Sequence, residues 1–148
     1  PWRGMPFEKL PVGRGRRLRE GRDVALVTVG TVGNAAARAA ERAAAGGVEA
    51  AHYDLRWVKP LDTELLDEVG RTFRRVVTVE DGCLRGGVGE AVAAYFNARG
   101  YDAHVTSLGI GDEWVEHGTP KQLHTLCGYD EEAIFRALAG VKRLSQER

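Results

Sequence analysis

The chain has 148 residues, and its 21 Lys and Arg residues balance its 21 Asp and Glu residues, so the formal net charge is zero. That balance argues against a dedicated nucleic-acid-binding protein, which would usually carry a basic face. The hydrophobic share of 43% excludes a disordered chain. No apolar run approaches the roughly 18 residues that a membrane span needs, so we expect one domain without membrane or nucleic-acid partners.

The cysteines and the N-terminus bear on cellular location. Cys83 and Cys127 form no CxxC pair, and two free thiols in a reducing cytoplasm are favoured, with a single disulfide as the alternative. The N-terminus has no signal-peptide pattern, which also favours a cytoplasmic location. The chain starts at Pro1 and its one methionine is Met5, which predicts that it is a piece of a longer polypeptide.

The first 13 residues contain three prolines and two glycines without periodicity, and they predict an extended arm over residues 1–13. A folded domain over residues 14–140 and a tail over residues 141–148 are expected to follow. The charged segment Arg14–Glu20 is typical of a strand at a sheet edge, where basic side chains block pairing with other molecules. Because only the turn Gly21–Asp23 separates it from the next strand, this edge strand is predicted to be antiparallel to the rest.

Strands and helices alternate along the remainder of the domain. Apolar runs predict strands at Val24–Val29, Val48–Leu55, Val76–Val79 and Ala103–Leu108. Helical periodicity, N-cap residues such as Asp62 and glycine stops predict helices at Asn34–Ala45, Thr63–Gly70, 88–99, 119–128 and 130–139. This alternation predicts an α/β fold: a three-layer α/β/α sandwich around about five mostly parallel strands.

The stretch from Arg74 to Glu90 has the chemistry most typical of a site. Its strand ends in Glu80 and Asp81, and a glycine-rich loop then leads into a helix near Val88. Parallel sheets present ligands at the carboxyl ends of strands, and backbone N–H groups at a helix start can hold a phosphate. The two acids would repel a phosphate, so a phosphate cradle is the less favoured alternative. The favoured interpretation is a turn that lets helix and strand approach closely and presents both acids to a neighbouring domain or subunit.

Other candidate residues have simpler interpretations. At the Gly30–Asn34 junction, capping of the helix by Thr or Asn is favoured over anion binding. His52 and His104 lie inside strand patterns and are predicted to be structural. His117, beside Glu116 in a loop, is the best candidate for a general base, although no nucleophile or orienting partner is identifiable. No histidine or cysteine spacing fits a zinc site, so no metal site is predicted.

Several segments, in order and over most of the chain, give it a family likeness. The segment Asp54–Asp62 resembles the D-x-R-F-x-K-P-L-D motif of 1-deoxy-D-xylulose-5-phosphate synthases. Val77–Gly89 is similar to that family's V-T-V-E-(D/E) segment with its following G-G-x-G. Leu108–Gly118 is similar to the G-I-P-D-x-F-x-E-H-G loop, with Gly111 where the family usually has proline. Lys9–Gly15 is similar to the L-P-I-G-K-G segment that opens the family's domain.

The resemblance implies a fold and a role. It identifies the chain as the C-terminal, transketolase-type domain of a synthase that joins pyruvate to glyceraldehyde 3-phosphate with loss of carbon dioxide, for isoprenoid and thiamine biosynthesis. In that family thiamine diphosphate and Mg²⁺ supply the chemistry and are held by the two preceding domains. This domain is therefore expected to hold no catalytic, cofactor-binding or metal-binding residue and to be inactive alone. It is expected to contact those domains and a second subunit of a homodimer.

One substrate-binding residue, Arg3, follows from the same resemblance. The family's Y-P-R-G segment carries an arginine that contacts the phosphate of the aldehyde substrate. This chain begins Pro1-Trp2-Arg3-Gly4, with Trp2 between the proline and the arginine of the pattern. A forked guanidinium suits a phosphate contact, and a solvated arginine in the arm is the alternative.

Three other assignments stay open from the sequence. Transketolase and the β subunit of 2-oxo acid dehydrogenases share the domain type, and an independent interaction module of the same fold is the third. The segments Arg56–Asp62 and Glu113–Gly118 favour the synthase over the first two.

Overall fold

The structure is a computed structural model that describes the backbone of residues 8–145 and the side-chain surroundings of residues 8–140. Over that part of the chain the strands are β1 (Arg16–Arg19), β2 (Val24–Thr28), β3 (Ala50–Asp54), β4 (Arg75–Cys83) and β5 (His104–Ile110). The helices are α1 (Gly33–Ala45), α2 (Thr63–Thr72), α3 (Val88–Arg99), α4 (Pro120–Leu126) and α5 (Glu131–Ser145).

The strands form one sheet in the order β1-β3-β2-β4-β5. Strand β1 is antiparallel to β3, and the other neighbouring pairs are parallel. Helices α1 and α5 cover one face of the sheet, and α2 and α3 cover the other. This confirms the predicted three-layer sandwich with an antiparallel edge strand. None of the helices within residues 8–145 combines the length and apolar character that a bilayer crossing requires.

Strand β2 lies at the centre of the molecule, and all five of its residues are buried. Because side chains alternate across a strand, Val24 and Leu26 enter the core beneath α1 and α5, whereas Ala25 and Val27 enter the core beneath α2 and α3. The buried side chains of α1 are all alanines, namely Ala36, Ala39, Ala40 and Ala43. Their small size lets this helix approach the sheet closely.

The turn between β1 and β2 explains why these two strands are not neighbours. It crosses the start of β3, where the amides of Arg22 and Asp23 both donate to the carbonyl of Glu49 at 3.0 Å. A Cβ at Gly21 would lie 2.2 Å from the backbone carbonyl carbon of Ala50. The tight turn therefore does not make a hairpin, because β3 is inserted between the strands that the turn joins.

The predicted basic edge strand is present as β1, and its arginines are paired. Ion pairs join Arg16 to Asp54 at 3.1 Å, Arg17 to Glu68 at 3.1 Å and Arg19 to Glu49 at 3.3 Å. Exposed pairs of this kind stabilise by up to about 1 kcal/mol each. Their main effect here is to attach the edge strand to β3 and α2 through side chains as well as backbone.

One predicted helix cap is confirmed. Asp62 precedes α2, and its carboxylate accepts from the backbone N of Leu65 at 3.1 Å. The same side chain accepts from the backbone N of Gly15 at 2.9 Å. The buried carboxylate of Asp62 therefore caps α2 and also holds the residue just before β1 close to the start of this helix.

The predicted side-chain cap of α1 and the predicted end of α5 are wrong. The residue before α1 is Val32, which has no capping side chain, and the Asn34 amide instead donates to the carbonyl of Thr31 at 3.2 Å. Helix α5 does not stop near Ala139 but continues through Gly140 to Ser145. One glycine costs about 1 kcal/mol inside a helix, which does not by itself end it. The predicted tail is therefore helical as far as it is described.

Candidate functional site at the carboxyl edge of the sheet

The candidate site lies between β2 and β4, two neighbouring strands that are followed by helices on opposite faces of the sheet. Strand β2 leads into α1 on one face, and its neighbour β4 leads into α3 on the other. Such a switch point is where open α/β sheets form crevices. A cleft of about 650 Å³ opens there, with Thr31, Val58, Arg85 and Val88 among its lining residues.

Glu80 occupies the start of α3. Its side chain is buried, and its carboxylate accepts from the backbone N of Val88 at 2.8 Å and of Gly89 at 2.9 Å. These N–H groups would otherwise be unpaired at the helix start, where the helix dipole also favours a negative group. The protein's own carboxylate thus fills the place that a phosphate would take. The prediction that Glu80 faces a neighbouring domain or subunit is wrong.

The glycines after β4 allow this arrangement. A Cβ at Gly87 would lie 2.3 Å from the carbonyl oxygen of Cys83, and a Cβ at Gly89 would lie 2.3 Å from Oγ of Ser107. Any side chain at either position would push α3 away from the sheet. This agrees with the interpretation of the glycine-rich loop as a close contact between helix and strand.

Asp81 faces α4 and the start of α5. Its carboxylate accepts from the Tyr129 hydroxyl at 2.8 Å and lies 3.7 Å from Nε2 of His124. The rings of His124 and Tyr129 are 4.7 Å apart, and burial together with Asp81 raises the pKa of the Tyr129 hydroxyl. Asp81 therefore joins the end of β4 to α4 and to Tyr129. About half of its side chain is exposed, and only that part could contact a neighbouring domain or subunit.

The other predicted histidines are not brought to this site. His52 is buried with Nε2 2.9 Å from Oγ1 of Thr28, and burial lowers its pKa to about 4. This neutral histidine is structural, as predicted. His104 lies in a strand as predicted, at the start of β5, and is exposed there. His117 is exposed, and within residues 8–140 it has no hydrogen-bonding or ionic partner that would orient it as a base.

Cys83 is exposed, Cys127 is partly buried, and both are free thiols. No group of three or more His, Cys, Asp or Glu side chains within the described ranges is arranged to hold a metal ion. Arg3, the predicted substrate contact, lies outside the described residues. Sequence reasoning assigned no role to His124. Its contacts with Asp81 and Tyr129 could not be inferred, because they depend on how α4 packs against a distant strand.

These features define an α/β domain in which Glu80 and Asp81, at the carboxyl end of β4, are paired with groups of the same chain. The family match is to a domain of this class. Residues 13–134 match the family described as the transketolase C-terminal domain. The chain belongs to this family.

Its relatives are 1-deoxy-D-xylulose-5-phosphate synthases. The chain is 49% identical to the synthase of Bacteroides fragilis over 134 residues. The aligned part is 90% of this chain and 21% of that protein. The synthase of Carboxydothermus hydrogenoformans is 41% identical over 130 residues, or 88% of this chain and 21% of that protein. The chain thus spans about a fifth of the length of these relatives. The resemblance predicted from the sequence is confirmed.

A solved structure gives the same result for the fold. The structure of a protein described as "Split gene transketolase, inactive beta4 tetramer" matches with a TM-score of 0.85 at 34% sequence identity. The match covers 100% of this chain and 48% of that chain. The transketolase-type fold predicted from the sequence is therefore confirmed.

Proposed function

We propose that the chain is the C-terminal domain of a thiamine diphosphate-dependent 1-deoxy-D-xylulose-5-phosphate synthase. The whole enzyme joins pyruvate to glyceraldehyde 3-phosphate, releases carbon dioxide and supplies isoprenoid and thiamine biosynthesis. The observation that carries the proposal is 49% identity to such a synthase over 90% of the chain. Transketolase and 2-oxo acid dehydrogenase β subunits share the domain type but are less favoured by this similarity.

Within that enzyme the domain has a structural and subunit-contact role. The start of α3 does not fit the cofactor, because the Glu80 carboxylate already accepts from the amides of Val88 and Gly89 and would repel a diphosphate. That observation supports placing thiamine diphosphate and Mg²⁺ in the preceding domains. The two free thiols suit a cytoplasmic enzyme. The similar split-gene transketolase is a tetramer, which supports self-association, and we propose that the synthase forms a homodimer.

The experiment that tests the proposal is an assay of the full-length protein. Pyruvate and glyceraldehyde 3-phosphate should yield 1-deoxy-D-xylulose 5-phosphate and carbon dioxide when thiamine diphosphate and Mg²⁺ are present. Transfer of a two-carbon unit from a ketose phosphate instead would identify a transketolase, and reductive acylation of a lipoyl group would identify a dehydrogenase. Either result would reject the synthase assignment.

The isolated chain is expected to show no measurable binding of thiamine diphosphate, with or without Mg²⁺. The physical reason is the Glu80 carboxylate at the start of α3, which accepts from the amides of Val88 and Gly89 and repels a diphosphate. Isothermal titration calorimetry on the isolated chain is the measurement, with the full-length protein as the positive control. Tight binding by the isolated chain would mean that the cofactor site has been misplaced.

Replacing Arg3 by alanine in the full-length enzyme is expected to raise KM for glyceraldehyde 3-phosphate by about tenfold to a hundredfold. This follows from the loss of a charge-assisted hydrogen bond of about 1.5–3 kcal/mol. The KM for pyruvate, which has no phosphate, should stay unchanged. Steady-state kinetics with each substrate varied in turn would measure both. Equal changes in the two KM values would argue that Arg3 has only a structural role.

A further inference from the structure

The segment 111–128, here called the outer segment, lies on the surface of the domain, and Cys127 near its end packs against the core. None of its residues is buried, and α4 within it has no buried side chain. Trp114 is 101% exposed and Leu126 is 72% exposed. Tryptophan is enriched at protein interfaces. Trp114 is the most exposed of the large apolar side chains within residues 8–140, which makes the outer segment a surface for contact with another domain or protein.

The outer segment is nevertheless held in place by side chains. Asp112, near its start, pairs with Arg85 at 3.2 Å. Thr119 and Gln122 form a reciprocal capping box at the start of α4, and His124 lies against Tyr129. An interacting surface that is ordered before it binds loses less entropy on docking.

Its charge indicates what kind of surface would cover it. Glu113 and Glu116 flank Trp114, and both are exposed. Neither carboxylate has an ionic or hydrogen-bonding partner among the side chains that the structure describes. The complementary surface should therefore combine an apolar pocket for the indole with a rim of Lys or Arg.

A symmetric contact centred on Trp114 does not supply that surface. The two-fold axis would bring the unpaired acids of one copy against those of the other, and they would repel. The basic strand β1 is unsuitable because Arg16, Arg17 and Arg19 are already paired with acids of their own chain. The relatives, in contrast, are more than four times as long as the chain, so the proposed synthase has further domains that could supply it.

We propose that the outer segment docks this domain on the preceding domains of the same synthase polypeptide. Trp114 is the anchor, inserted into an apolar pocket, and Glu113 and Glu116 pair with basic residues at its rim. This inference rests on the proposed function, since it requires those domains to exist.

The test is hydroxyl-radical footprinting of the full-length enzyme, read by mass spectrometry. Trp114 should oxidise about tenfold more slowly than N-acetyltryptophanamide in the same solution, because the centre of an interface excludes water. Leu18, which is 47% exposed on β1, is the internal control and should stay reactive. Oxidation of Trp114 at the rate of the free amide would overturn the proposal. Protection that disappears when the enzyme is diluted to monomers would assign the contact to a second subunit, and would overturn it too.

Charge reversal tests the basic rim. The double variant Glu113→Lys with Glu116→Lys should restore fast oxidation of Trp114 in the full-length enzyme. The matched control is Glu41→Lys, which changes another exposed acid without a described partner, on α1, and should leave Trp114 protected. Unchanged protection in the double variant would reject the basic rim. An active synthase with an unprotected Trp114 rejects the docking surface alone, whereas a protected Trp114 in a protein without synthase activity rejects the proposed function alone.

Discussion

Replacing Glu80 by alanine is expected to lower the free energy of unfolding by about 2–5 kcal/mol. The variant leaves the buried amides of Val88 and Gly89 without their acceptor, and each such loss costs about 1–3 kcal/mol. Urea unfolding followed by circular dichroism measures the difference. Glu80→Gln, which keeps one acceptor oxygen, should be less destabilised than the alanine variant.

Glu90 provides the matched control for Glu80. Its carboxylate accepts from the backbone N of Gly86 on the exposed side of the same loop, so Glu90→Ala should cost less than about 1 kcal/mol. Inorganic phosphate should raise the midpoint of thermal unfolding of Glu80→Ala but not of the unsubstituted chain, because only the variant leaves the amides of Val88 and Gly89 without an acceptor. Equal stability of Glu80→Ala and the unsubstituted chain would contradict the role assigned to this carboxylate.

Replacing Gly21 by alanine is expected to destabilise the chain by about 3 kcal/mol or more. The added Cβ would come within 2.2 Å of the backbone of Ala50, and neither backbone can yield without displacing β3. This is the upper end of the range for overpacking. The same unfolding measurement applies.

Gly140→Ala is the control for this substitution. A Cβ at Gly140 meets open space within α5, so the same chemical change should there stabilise by up to about 1 kcal/mol through helix propensity. Opposite signs for the two variants would support the crossing of the turn over β3. Two equally mild effects would show that the turn does not contact β3 closely.

Most of the predicted strands and helices followed from local sequence patterns. The run Val24–Val29 indicated a strand covered on both faces because it contains almost no polar side chain, and β2 is completely buried. Asp62 could be recognised as a helix cap because its partner, the amide of Leu65, is three residues away. Such features depend on neighbours in the sequence, so the sequence is enough to find them.

Other features were missed because they depend on residues that are not immediate neighbours in the sequence. Glu80 reaches the start of α3 only because the glycine loop folds back, so its inward direction could not be inferred from its place after a strand. The place of β3 between β1 and β2 depends on Gly21 crossing Ala50, which lies far along the chain. The full exposure of Trp114 was also hidden, because a sequence does not show whether a tryptophan in a loop is covered.

The occupied helix start has a consequence for the whole enzyme as we propose it. Both its aldehyde substrate and its cofactor would carry phosphate groups. If the amides at the start of α3 were free, they could bind these molecules away from the reaction centre, and inorganic phosphate would compete for the same place. With Glu80 in that position, the start of α3 does not offer such a binding place.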